Sequence, residues 1–79
     1  MATKVIIRKL GRHGALGLAD MDNHIIEIDP RQKSKSYLKT LIHEKLHLLF
    51  PDFSETKIKY LEKQLGDFLW ENNYRKVNL

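Results

Sequence analysis

Apolar residues are spaced in two ways along the chain. Up to residue 29 they come in short, β-branched clusters, and from residue 36 onward they recur every three or four positions. Lys4-Val5-Ile6-Ile7-Arg8-Lys9-Leu10 predicts a first strand that stops at Gly11. Gly11-Arg12-His13-Gly14 predicts a turn or loop, because its two glycines remove any preference for extended backbone. Ala15-Leu16-Gly17-Leu18-Ala19-Asp20 alternates weakly and predicts a second strand. Met21-Asp22-Asn23 supplies turn residues that tolerate left-handed backbone angles. His24-Ile25-Ile26-Glu27-Ile28-Asp29 predicts a third strand, with Ile26 and Ile28 on one face and Ile25, Glu27 and Asp29 on the other. The expected arrangement is a hairpin within a three-stranded antiparallel sheet.

Pro30 ends the third strand, and the polar, basic connection Arg31-Gln32-Lys33-Ser34-Lys35-Ser36 offers Ser34 or Ser36 as a helix cap. A first helix is expected from about Ser36 to Phe50, its apolar arc made of Leu38, Leu41, Ile42, Leu46 and Leu49. Lys45 falls inside that arc, so its stem is expected to run along the surface with the ammonium in water. Pro51 terminates the helix. A second helix is expected from about Ser54 to Asn73, with Ile58, Leu61, Leu65, Phe68 and Leu69 as its core face and Gly66 marking a close helix contact. Trp70 and Tyr74 read as packing residues. No repeat, low-complexity segment or long linker divides the chain. The fold class predicted is therefore α+β, a small three-stranded antiparallel sheet packed on two helices, with residues 1–79 forming one domain.

The chemistry is concentrated in Leu41-Ile42-His43-Glu44-Lys45-Leu46-His47, which carries H-E-x-x-H on the predicted helix. His43 and His47 stand one turn apart on one face, so their imidazoles can converge on a single ion. Glu44 lies about 100° further round, placed to reach a zinc-bound water rather than the zinc, as a general base does in hydrolysis. Shuffling this composition produces the motif in about one sequence in eighty, so its weight comes from context: an amphipathic helix preceded by strand-like sequence and followed by acidic residues.

A catalytic zinc takes three protein ligands and keeps one position open. The chain has no cysteine, which leaves histidine and carboxylate as donors for Zn2+. Glu55 is the preferred third ligand and Asp52 the alternative, since Pro51 turns the chain back just past His47; beyond these stand Glu62 or a second chain. Each has a structural reading as well. Asp52-Phe53-Ser54-Glu55 fits a capping box, and Ser54 can equally cap the second helix with Glu55 in its first turn. His24 and His13 are left unassigned. Tyr37 and Arg75 are conceivable oxyanion stabilisers that no motif places.

Seventy-nine residues allow only a modest core, for which a metal is a plausible support. A net charge of +4 and a pI near 9.5 lean mildly towards an acidic partner such as nucleic acid, although ordinary solubilising charge accounts for so small an excess. The chain has no apolar run of membrane-spanning length, and Met1-Ala2-Thr3-Lys4 leads into strand sequence rather than a signal peptide. A cytoplasmic protein without membrane contact is expected.

Gly14-Ala15-Leu16-Gly17, Ile26-Glu27-Ile28-Asp29, the His43–His47 motif, Pro51-Asp52-Phe53-Ser54-Glu55, Leu69-Trp70 and Tyr74-Arg75 together resemble the very small HExxH zincin-type metallopeptidases of phages and bacteria. The resemblance implies a minimal zincin-like domain. It also implies zinc held by His43 and His47, Glu44 activating water, and an extended peptide or protein substrate laid along an edge strand. Better-known zincins continue with a third His or a Gly turn, and this chain has neither. His47-Leu48-Leu49-Phe50-Pro51-Asp52 is also similar to a segment of the small bacterial zinc endoribonucleases of ribosome maturation, which implies RNA as the alternative substrate. A third reading is a binding module that zinc merely braces.

Overall fold

The computed structural model describes residues 2–11 and 15–75. Positions 12–14 of the expected loop, His13 included, lie outside the described residues. The elements run β1 (Lys4–Ile7), β2 (Gly17–Asp20), β3 (Ile25–Ile28), α1 (Ser34–Leu49) and α2 (Glu55–Glu71). The molecule is an α+β fold of three strands and two helices.

β3 is the central strand, and its Ile26 and Ile28 are 1% and 0% exposed. Gly17 stands opposite Ile28 and Ala19 opposite Ile26, so the inner face of β2 carries only small residues and α1 can approach closely. A Cβ at Gly17 would lie 2.7 Å from Thr40 Cγ2 and 3.0 Å from Glu44 Cγ. α1 covers β2 and β3 but not β1, which leaves Val5 and Ile7 exposed, and α2 packs on α1 alone. The layers are therefore sheet, α1, α2.

The antiparallel expectation needs correction. β2 and β3 form the expected antiparallel pair, but β1 runs parallel to β3, with Val5 opposite Ile26 and Ile7 opposite Ile28. At the C-terminal end of β3 the Arg8 N–H donates to the Ile28 carbonyl and the Asp29 N–H donates to the Leu16 carbonyl, so the chain leaves β1 and enters β2 at that same end, a crossover rather than a hairpin. Asp29 pins this crossover from beyond the end of β3. Only 2% exposed, it accepts hydrogen bonds from the Leu10 backbone N–H at 2.9 Å, the Arg31 backbone N–H at 2.9 Å and the Arg31 guanidinium, Nη2 to Oδ2, at 2.6 Å. Such contacts join distant segments and leave no trace in local patterning. β1 accordingly stops at Ile7 rather than at Leu10, whose side chain is buried in the core.

α1 begins at Ser34, earlier than expected. Lys33 is its N-cap and gives no side-chain cap, so neither Ser34 nor Ser36 serves as one. Gln32 holds the first turns instead: its Oε1 accepts from Ser36 Oγ at 2.9 Å and Thr40 Oγ1 at 2.7 Å, and its Nε2 donates to the Leu16 and Asp29 carbonyls. Ser54 caps α2 by accepting from the Lys57 N–H at 3.2 Å. Gly66 is the close helix contact predicted for it, since a Cβ there would meet Lys39 Cγ at 2.7 Å. Lys45 donates to Thr3 Oγ1 instead of ending in water. Leu49, Leu65 and Phe68, core residues by periodicity, are exposed: Leu49 is the last residue of α1, and α2, with a single neighbour, buries only the strip that meets it. Tyr37, which the apolar arc did not include, is buried.

Candidate metal centre

The centre lies between α1 and α2, close to the turn that joins them. Phe50, the C-cap of α1, and Ser54, the N-cap of α2, bound a short connection across which Phe50 and Phe53 stack at 4.5 Å between ring centroids. The two helices run back along each other, so residues at similar distances either side of the turn meet. His47, near the end of α1, faces Glu55 at the start of α2, and His43, one turn earlier, faces Glu62 as well.

The ligating atoms of His43, His47 and Glu55 lie within 4.8 Å of one another. The two Nε2 atoms are 3.1 Å apart, Glu55 Oε1 is 2.6 Å from His43 Nε2, and Glu55 Oε2 is 3.2 Å from His47 Nε2. Two donors bound at about 2.1 Å to a tetrahedral ion stand about 3.4 Å apart, so around zinc the two imidazoles need to spread by a few tenths of an ångström and Glu55 Oε1 needs to draw back from His43 Nε2 by about 0.8 Å. Two imidazoles and a carboxylate, with no thiolate, are a donor set that zinc accepts. The preferred third ligand, Glu55, is thus within reach. Asp52 is not part of the group, and Ser54 rather than Asp52 caps the helix.

Glu62 takes a different position from a ligand of the same ion. Its Oε1 lies 2.7 Å from His43 Nδ1, the ring nitrogen turned away from His47. A carboxylate there favours the tautomer protonated at Nδ1, leaving the Nε2 lone pair for a metal, and it fixes the plane of the ring. Both histidines are half-buried, whereas Glu55 sits at the mouth of the site with its side chain 55% exposed.

Glu44 makes no ion pair or hydrogen bond among the described residues. It lines a cleft of about 490 Å³ with Leu16, Gly17, Thr40, His43, Lys59 and Glu62, so it opens into the space beside the ligands and beneath β2, an edge strand of the sheet. Burial pushes the Glu44 carboxyl above its ordinary value; the positive fields of His43 and His47 oppose this shift, and the charges of Glu55 and Glu62 add to it.

The other candidates lie elsewhere. His24 occupies the β2–β3 turn at φ 53°, its carbonyl accepting from the Lys4 N–H, and it does not line the cleft. Tyr37 and Arg75 border a separate cleft with Leu38, Leu41, Asn73 and Tyr74, where the Arg75 guanidinium stacks 3.8 Å over Trp70. Lys59 was not anticipated. Its signal was its place on α2 between Glu55 and Glu62, at the i+4 and i−3 positions that share their face.

No family model, curated protein or solved structure matches the chain. Among the described residues no helix is long and apolar enough to cross a membrane.

Proposed function

We propose that the protein is a zinc-dependent hydrolase, a small metallopeptidase in which His43, His47 and Glu55 hold the metal and Glu44 is the general base. The observation that carries this reading is the division of labour among four neighbouring side chains: three converge within ligand distance, while the fourth, Glu44, is left unpaired in the adjoining cleft. Zinc in such a site acidifies water and polarises a carbonyl. Glu44 then removes a proton from the attacking water, whose oxygen bonds to the carbonyl carbon as the carbonyl electron pair moves onto oxygen. The closeness of Gly17 brings the exposed edge of β2 over Glu44, so an extended peptide paired along that edge would carry its carbonyl into the cleft.

Glu44→Gln tests the reading because it keeps the volume of the side chain and removes the base. Zinc uptake should be unchanged by elemental analysis and calorimetry, and peptide hydrolysis should fall by at least about 10²- to 10⁴-fold. Full activity in this variant would exclude the base. Assaying RNA cleavage in parallel decides between peptidase and nuclease, since phosphodiester turnover with steep salt dependence would favour the latter.

A further inference from the structure

We propose, building on the hydrolase reading, that Lys59 is a catalytic residue that stabilises the negative charge developing on the carbonyl oxygen. α2 presents Glu55, Lys59 and Glu62 within about 60° of its circumference, a carboxylate, an ammonium and a carboxylate on successive turns. The two carboxylates are committed to imidazoles, Glu55 to both Nε2 atoms and Glu62 to His43 Nδ1. Lys59 has no ion pair or hydrogen bond among the described residues, and it is the single cationic side chain lining the cleft with His43 and Glu44.

Charge balance gives this free ammonium a purpose. Glu44, Glu55 and Glu62 bring three negative charges to the site, and a divalent ion offsets two of them. When water attacks, its proton goes to Glu44, its oxygen forms the new bond to carbon, and the displaced π pair leaves one negative charge on the carbonyl oxygen. One charge moves from Glu44 to the oxyanion and the total does not change. Without Lys59 that oxyanion forms in a site of net charge −1; with it the site is neutral. An ammonium on the wall of that cleft is the kind of group that stabilises such a charge. Tyr37 and Arg75 cannot contribute, because they line another cleft.

Lys59→Met and Lys59→Arg, both at an exposed helical position, test the assignment against wild type. Each zinc-loaded protein is titrated calorimetrically with inorganic phosphate, a tetrahedral anion that stands in for the oxyanion and needs no turnover. Expected are equal zinc affinities, phosphate binding weakened by at least about tenfold in Lys59→Met, and substantial recovery in Lys59→Arg. In peptide hydrolysis kcat should fall by about 10²-fold in Lys59→Met with KM within a factor of about two. Equal phosphate affinities, no phosphate binding by wild type, reduced zinc affinity in Lys59→Met, or a raised KM at constant kcat would each overturn the role of Lys59 and leave the hydrolase reading standing. Failure of the wild-type protein to take up zinc would overturn both.

Discussion

Two carboxylate-centred nodes organise this small protein, and they are built to opposite rules. At the sheet end, Asp29 is buried and saturated: backbone N–H groups of Leu10 and Arg31 and the guanidinium of Arg31 occupy its oxygens. At the helix turn, Glu55 and Glu62 face imidazole nitrogens, and Glu44 faces a cleft with no partner among the described residues. The first node closes a chain crossover. The second gathers two imidazoles and the carboxylates of Glu55 and Glu62 between α1 and α2. Asp29 has its charge tied to the fold, while Glu44 is open to the cleft.

The comparison breaks most visibly if zinc acts on both nodes alike. At a free zinc concentration 1,000 times Kd, binding to the native state alone adds about 4 kcal/mol, which in a domain of this size raises Tm by more than about 15 °C. His43→Ala should abolish that rise, leaving a Tm that chelator or zinc shifts by less than about 2 °C. Differential scanning fluorimetry over a zinc series reads this directly. A zinc-dependent rise that survives His43→Ala would move the metal away from the helix turn.

Asp29→Asn should do the reverse. The amide keeps the shape but loses the charge and sets an N–H₂ against donors, so Tm should fall on the order of 10 °C whether or not zinc is present. Its pH dependence has a definite sign. The Arg31 side-chain hydrogen bonds, followed by those from the Leu10 and Arg31 backbone, hold the Asp29 carboxyl far below its ordinary value. A group depressed in the folded state contributes stability that is fully present above its unfolded pKa of about 4 and is lost as pH falls below it. The gap between wild type and variant should therefore be constant from neutral pH to about 5 and narrow in acid. A gap that widens as pH falls would show that the carboxylate is not the stabilising form.

The two nodes also differ in how far they can be read from the amino-acid order. The helix-turn node is local: a 3.6-residue period places His43 over His47, Pro51 forces the return, and Glu55 is the first carboxylate of the next helix. The position of Glu62 follows from the same hairpin counted two turns further along α2, although its distance from the motif makes it look like a remote ligand. The Asp29 node is not local, because Leu10 and Asp29 meet only through tertiary hydrogen bonds, and so the direction of β1 was misread as antiparallel. The burial of Tyr37 is not legible because one aromatic near a helix start sets no period. Leu65 and Phe68 were placed in the core because periodicity reports an apolar face without reporting whether anything covers it; they are 43% and 61% exposed. Lys59 resembled any lysine on a charged helix until its two neighbours on that face were seen to be occupied.

The smallest effect sharpens the comparison within the helix node itself, between a carboxylate that binds the metal and one that only orients a ligand. Glu62→Gln retains an oxygen able to accept the His43 Nδ1–H, so the ring stays in place and only the charge behind it is lost. Zinc affinity should weaken by about 10- to 100-fold, the range for partners of metal-bound histidines, and Tm without zinc should hardly change. Glu55→Gln removes a direct donor and should weaken zinc binding further, with competition against a chromogenic chelator resolving the two. Were Glu62→Gln the more damaging, Glu62 would be the ligand and Glu55 the outer partner. His43 would then have to present Nδ1 rather than Nε2 to the ion, with its ring turned away from the Nε2 of His47 that now lies 3.1 Å from its own.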